Sequence, residues 1–195
     1  MKRMFDICAS ILGLVLLSPL FLIVSGIIYF TSPGGVFFRQ ERVGLNNEIF
    51  KIYKFRTMYV NTESQGRLTI GHDSRVTPIG HFIRKYKIDE LPQLIDVVIG
   101  TMSLVGPRPE VQEFIEHYPD DIRKKVLSVR PGITDLASIE MVDENHILSQ
   151  YSDPKQAYID LILPTKQKYY LDYVAKKNFF LDIKIIFLTL RKIIR

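Results

Sequence analysis

The chain has 195 residues, 47% of them hydrophobic, and a formal net charge of +5. That length suits one domain with attachments, and so much apolar content excludes an intrinsically disordered chain. One cysteine, Cys8, excludes an internal disulfide framework and a Cys-rich zinc module. The positive charge favours an anionic partner: nucleic acid, acidic lipid or phosphorylated small molecules.

The first predicted element is apolar. Ile7 to Phe30 carries no charge, and Thr31-Ser32-Pro33-Gly34-Gly35 ends it. It is too long for a signal peptide and lacks small residues at its end. A buried core helix of this length would be out of scale with so small a domain. Membrane insertion fits, since ~18 apolar residues are enough to cross a bilayer. Ser18-Pro19 lies near its middle. Pro19 cannot donate to the Val15 carbonyl, so a bend is expected there, with Ser18 able to serve the freed carbonyl. Basic residues flank both ends (Lys2 and Arg3, then Arg39 and Arg42). Positive charge at both ends suits two cytoplasmic ends. Residue chemistry leaves spanning and re-entrant helices equally open.

Val36 to Met58 reads as a strand pair turning at Gly44-Leu45-Asn46-Asn47. Tyr59 to Val76, with Gly66 and Gly71, reads as a long polar loop. Thr77-Pro78 starts a helix bearing Arg84, Lys85 and Lys87. A second helix start follows, with Asp89 able to cap and Pro92 in the first turn. Gly106-Pro107-Arg108-Pro109 is a stiff connector. Short helices are expected near Glu110–Tyr118 and Asp120–Leu127, and Pro154 and Pro164 mark two further starts. The last segment, Asn178 to Arg195, is amphipathic. Phe179, Phe180, Ile183, Ile186, Phe187 and Leu190 share one face, with Asp182, Lys184, Thr189, Arg191 and Lys192 opposite. Such a helix suits a membrane surface, or else a peripheral place on the soluble core.

Ten Lys or Arg against four Asp or Glu lie between Arg39 and Lys87. This marks either a solvated or lipid-facing basic surface or a phosphate site. Lys54 and Arg56 end a predicted strand, and Arg84 lies just before the acidic pair. Arg108 sits between two prolines that restrict its backbone, and Arg130 precedes another. Asp89-Glu90 is read either as ordinary helix capping or as a working pair. In the second case one carboxylate is a nucleophile or base and the other holds a divalent cation. No Walker A or GxGxxG pattern occurs. His72, His81, His117 and His146 lack metal-ligand spacing. Basicity alone is the only hint of nucleic acid, so none is expected as a partner.

Six stretches in order resemble the bacterial sugar transferases known as monotopic phosphoglycosyl transferases. They are Ser18-Pro19, Arg42-Val43-Gly44, Lys54-Phe55-Arg56-Thr57-Met58, Asp89-Glu90-Leu91-Pro92-Gln93-Leu94, Ser103 to Pro109, and Arg130-Pro131-Gly132-Ile133-Thr134. Together they cover roughly the first 135 residues. The departures are Thr101, Asp96 and Asp135-Leu136-Ala137-Ser138, and the last puts any transfer of sugar preference in doubt.

The resemblance implies transfer of a sugar-1-phosphate from a UDP-sugar to undecaprenyl phosphate with release of UMP, starting a surface glycan. Asp89 would attack phosphorus to form a phosphosugar-aspartyl enzyme. Glu90, with Asp89, would hold Mg2+. Lys54, Arg56, Arg84, Arg108 and Arg130 would bind phosphates. The fold expected is α+β and mostly helical, with a short β-hairpin, a re-entrant N-terminal helix broken at Ser18-Pro19 and amphipathic interfacial helices. Residues 1–35 would anchor, 36–177 would catalyse and 178–195 would lie on the cytoplasmic face of the bacterial inner membrane. The chain would be the minimal catalytic form, without the transmembrane bundle of some relatives. A homodimer stays open, as do the sugar and the pathway. A non-catalytic basic adaptor on acidic lipid is the competing expectation.

Overall fold

The computed structural model describes residues 1–60, 73–141 and 144–194. Most of the expected Tyr59–Val76 loop, including Gly66, Gly71 and His72, therefore lies outside the described residues, as does Arg195.

Helix α1, Lys2–Thr31, is 30 residues long, about 45 Å at 1.5 Å per residue. Among the described residues it alone is long and apolar enough to cross a membrane. Pro19 lies inside it, and helical structure runs on through the proline. The expected break is thus a lost main-chain hydrogen bond, not an interruption of the helix. Ser18 Oγ donates to Val15 O at 2.8 Å, occupying the carbonyl that Pro19 cannot serve.

Both ends of α1 rest on the same body. At the start, Lys2 Nζ donates to Asp182 Oδ2 at 2.8 Å and Val105 O at 3.2 Å. Arg3 donates to Val97 O at 2.6 Å and Met102 O at 3.1 Å. At the far end, buried Val24 and Ile28 pack with Phe55 and Ile83. Between these attachments Ile11, Leu12, Val15, Leu16 and Leu22 are exposed, Leu22 to 75%.

Strands β1 (Phe37–Val43) and β2 (Ile49–Phe55) form the expected hairpin, antiparallel, with Phe37 opposite Phe55 and Val43 opposite Ile49. They turn through Asn46 and Asn47 at φ 54° and 68°, a region that asparagine tolerates better than most residues. Helix α2 (Pro78–Lys85) starts as expected, with Gly80 N–H donating to the Thr77 hydroxyl at 3.0 Å. A single 3-10 turn, Ile88–Glu90, leads to α3 (Gln93–Ile99). Asp89 therefore does not cap α3; Pro92 holds that position with no side-chain cap.

Strand β3 (Ser103–Val105) pairs in parallel with β4 (Gly132–Thr134). This brings two distant motifs together. Gly132 N–H donates to Pro107 O at 2.9 Å, and Gly106 N–H to Thr134 O at 3.1 Å. A Cβ on Gly132 would lie 2.1 Å from Gly106 N, so only glycine permits this crossing. The glycines hold the stiff Pro107-Arg108-Pro109 connector in place.

Helices α4 (Gln112–Ile115), α5 (Asp120–Val126), α6 (Leu136–Glu140) and α7 (Glu144–Leu148) are short. Helix α8 (Pro154–Ala157) runs through a π turn, Tyr158–Ile162, into α9 (Leu163–Lys176). Pro154 starts a helix as expected, but Pro164 does not start a separate one. The wider π turn comes just before this proline and keeps the run helical despite its missing N–H. Phe114, Ile115, Tyr158, Leu163 and Tyr170 form the main helical core.

Helix α10 (Phe179–Ile194) is turned opposite to a helix on a soluble protein. Its polar side faces the body. Asp182 is buried, Thr189 Oγ1 lies 2.6 Å from Thr134 Oγ1, and Lys192 donates to Ile139 O. Ile185, off the predicted apolar face, is fully buried. The bulky face points outward, with Phe180 84% exposed and Phe187 and Leu190 beside it in exposure.

Candidate active site

Asp89 and Glu90 sit in the 3-10 turn that follows Lys87, whose φ is 57°. The left-handed residue ends α2 and reverses the chain into the acidic pair. The two carboxylates then meet different surroundings.

Glu90 is saturated with cations. Lys54 Nζ on β2 donates to Glu90 Oε1 at 2.8 Å. Arg108, on the proline-flanked connector, donates through Nη2 to the same oxygen and through Nη1 to Oε2 at 3.2 Å. Burial pushes the Glu90 carboxyl up, but Arg108 and Lys54 outweigh it and hold it well below the usual range. The Glu90 carboxylate in turn raises the Arg108 pKa well above its ordinary value. Burial lowers the Lys54 pKa, with Glu90 opposing.

Asp89 is the reverse case. It is only 8% exposed, and its Oδ1 has no hydrogen-bond partner among the described residues. Burial raises its pKa; Lys54, Arg84 and Lys87 pull the other way, and neighbouring Glu90 pushes up again. A helix-capping carboxylate would bond a main-chain N–H. This one faces cations with a free oxygen, which is how a nucleophile or a ligand to an incoming group would be held. Arg84 is held beside it by a bond from Nε to Thr57 Oγ1 at 2.9 Å.

A sequence model of the bacterial sugar transferases matches residues 1–195. The chain belongs to the bacterial sugar transferase family. It is 38% identical over 196 residues to the UDP-N-acetylgalactosamine-undecaprenyl-phosphate N-acetylgalactosaminephosphotransferase of Aeromonas hydrophila, covering 99% of this chain and 43% of that protein. It is 38% identical to the undecaprenyl-phosphate glucose phosphotransferase of Komagataeibacter xylinus, covering 98% of this chain and 35% of that protein. The uncharacterized sugar transferase EpsL of Bacillus subtilis is 37% identical, with 100% of this chain and 87% of that protein covered. The chain thus spans about two fifths of the first of these relatives and most of the third.

In this sugar transferase the predicted site residues separate into two groups. Lys54, Arg84, Asp89, Glu90 and Arg108 form one charged cluster. Arg56 and Arg130 are engaged elsewhere. The Arg56 guanidinium donates to Ser32 O at 2.8 Å and to Pro33 O, tying down the end of α1. Arg130 is exposed, and its Nε donates to Gly100 O at 2.8 Å.

Sequence reasoning missed the residues behind Arg108. Arg42 donates to Pro109 O at 3.0 Å. Glu110 accepts from the Tyr158 hydroxyl at 2.8 Å, and Lys166 Nζ donates to that hydroxyl at 3.1 Å. These groups fix the connector from its rear. Arg42 was visible within Arg42-Val43-Gly44; the pairing of Glu110 with Tyr158, 48 positions on, had no local signal.

Proposed function

We propose that this chain transfers a sugar-1-phosphate from a UDP-sugar to undecaprenyl phosphate and releases UMP. The observation that carries this reading is the buried, unpartnered Asp89 Oδ1 set among Lys54, Arg84 and Lys87. The undecaprenyl-phosphate acceptors in the relatives' names support it.

Asp89 Oδ1 attacks the phosphorus that bears the sugar. A P–O bond to Asp89 forms, and the bond to the bridging oxygen breaks, its electron pair leaving with UMP. A phosphate oxygen of the polyprenyl acceptor then attacks the same phosphorus and expels Asp89. The product is a polyprenyl diphosphate sugar. Lys54, Arg84 and Arg108 offset the repulsion between an anionic nucleophile and a diphosphate. Asp89 must be ionised to attack, and burial raises its pKa, which moves the acidic limb of turnover upward.

Among the described residues no cluster of three or more His, Cys, Asp or Glu forms a protein-only metal cage. Two adjacent carboxylates, one with a free oxygen, fit Mg2+, which binds through one or two carboxylates plus substrate phosphates. Asp89 and Glu90 would hold it, and it would supply Lewis-acid stabilisation of phosphate charge.

The exposed faces of α1 and α10 support a place at a membrane. Both ends of α1 pack on one body, which supports a re-entrant helix, because a spanning helix separates its ends by a bilayer. In this reading residues 1–35 and 178–195 anchor residues 36–177 at the cytoplasmic face of the inner membrane.

The deciding experiment is Asp89→Asn. UMP release should disappear while vesicle binding is retained; unchanged turnover removes Asp89 as nucleophile. Intact mass of the enzyme with UDP-sugar and no acceptor, quenched rapidly, should show a phosphosugar adduct.

A further inference from the structure

We infer that Glu90 acts as an exchange point: it sequesters Lys54 and Arg108 while the site is empty and releases both to phosphate when a divalent cation takes its carboxylate. This inference rests on the reading of the site as one for a nucleoside diphosphate and a divalent cation.

Every oxygen of Glu90 is committed. Oε1 takes Lys54 and Arg108 together, and Oε2 takes the second Arg108 nitrogen. The adjacent Asp89 Oδ1 has no partner among the described residues. Two cations are therefore hydrogen-bonded to one carboxylate, while Oδ1 of its buried neighbour has no hydrogen-bond partner among the described residues, although Lys54, Arg84 and Lys87 lie around it. Local neutralisation alone would share the cations between the pair. Their placement holds both positive charges on the residue next to the proposed nucleophile.

Each binding partner needs what the other would release. A divalent cation needs a Glu90 oxygen, which Lys54 and Arg108 occupy. A diphosphate needs donors, and Lys54 and Arg108 are held by Glu90. Arg108 can exchange without moving its backbone, because flanking prolines and the Gly106–Gly132 crossing hold it. Lys54 is equally fixed at its main chain by the β1–β2 ladder. Only side-chain ends need move. The consequence is thermodynamic coupling: each ligand binds better in the presence of the other, beyond their direct attraction.

This coupling makes signs opposite to those of a simple ligand role. If Glu90 only held the cation, Glu90→Gln would leave metal-free phosphate binding unchanged. By exchange, Glu90→Gln frees Lys54 and Arg108. Binding of UDP in EDTA should then tighten roughly tenfold, the size of one charge-assisted hydrogen bond. Lys54→Met removes a competitor for Glu90. It should bind Mn2+ alone roughly tenfold more tightly, while weakening UDP binding in EDTA.

The experiment uses the full chain in detergent, with UDP binding by calorimetry and free Mn2+ by electron paramagnetic resonance. Opposite shifts in the two variants support the exchange. Unchanged or weaker metal-free UDP binding by Glu90→Gln overturns it, as does unchanged Mn2+ affinity in Lys54→Met. The second variant decides the question should the first not fold. Wild-type protein that binds UDP with Mn2+ while the variants fail these shifts defeats the exchange alone. Wild-type protein that binds neither defeats the underlying site reading too.

Discussion

Replacing Asp96 by Asn should stabilise the protein above about pH 6 and leave turnover intact. Asp96 lies on α3, buried, and its Oδ2 accepts the Tyr53 N–H at 2.8 Å. Burial pushes its carboxyl from 3.8 up to about 6, against the Tyr53 hydrogen bond and Arg39. Below pH 4 folded and unfolded chains both hold the proton, so the group contributes nothing. Between about pH 4 and 6 the unfolded chain loses the proton and the folded chain keeps it, so stability falls as pH rises. Above about pH 6 the loss is complete. A shift of about two units corresponds to about 3 kcal/mol at most; screening and local relaxation reduce this to about 1.5 kcal/mol. Asparagine keeps an acceptor for Tyr53 N–H and carries no charge. The expected gain at about pH 8 is therefore about 3–6 °C in Tm for a chain of this size. At about pH 4 the gain should vanish. Thermal unfolding in detergent at both pH values is the assay, with UMP release at pH 8 alongside. Lys54 is the next residue after Tyr53, so intact turnover reports that β2 keeps its place. An equal Tm shift at both pH values, or a loss at pH 8, would refute the argument.

Arg56→Ala should lower Tm, because it strands the carbonyl of buried Ser32 at about 1–3 kcal/mol and frees the exposed Pro33 end of α1. Its KM for UDP-sugar should stay near wild type, and a raised KM at unchanged Tm would place Arg56 on phosphate instead. Arg130→Ala, at an exposed position, should change stability by no more than about 0.5 kcal/mol and leave UMP release unaltered. Phe180→Glu with Phe187→Glu should reduce sedimentation with anionic vesicles, yet leave Tm in detergent near wild type, since both rings already face outward.

Local signals in the sequence were enough for the hairpin, the Thr77-Pro78 start and the long apolar helix, because each depends on neighbours within a few residues. The Asn46-Asn47 turn needs left-handed backbone, and Thr77 needs only its own hydroxyl and the N–H three residues on. Pro164 misled for the same reason. Read alone it starts a helix, while the π turn before it lets one helix run from Pro154 to Lys176. The candidate site was legible as a set of residue types, and Lys54, Arg84, Asp89, Glu90 and Arg108 do come together. What the sequence could not show is which basic residues are already spent. Arg56 and Arg108 look alike on paper, each beside a hydrophobic or proline-rich stretch. One is consumed by the carbonyls ending α1 and the other by Glu90. That difference depends on where a helix end 23 residues upstream of Arg56 returns to the body. The same fact bears on the anchor. Arg56 and Phe55 hold the C-terminal end of α1, while Ser103, Val105 and Asp182 hold its N-terminal end. Buried polar groups thus tie both ends of this apolar helix to one body. Between those ties Leu16 and Leu22 stay exposed, an apolar surface of the kind that marks a membrane or partner contact.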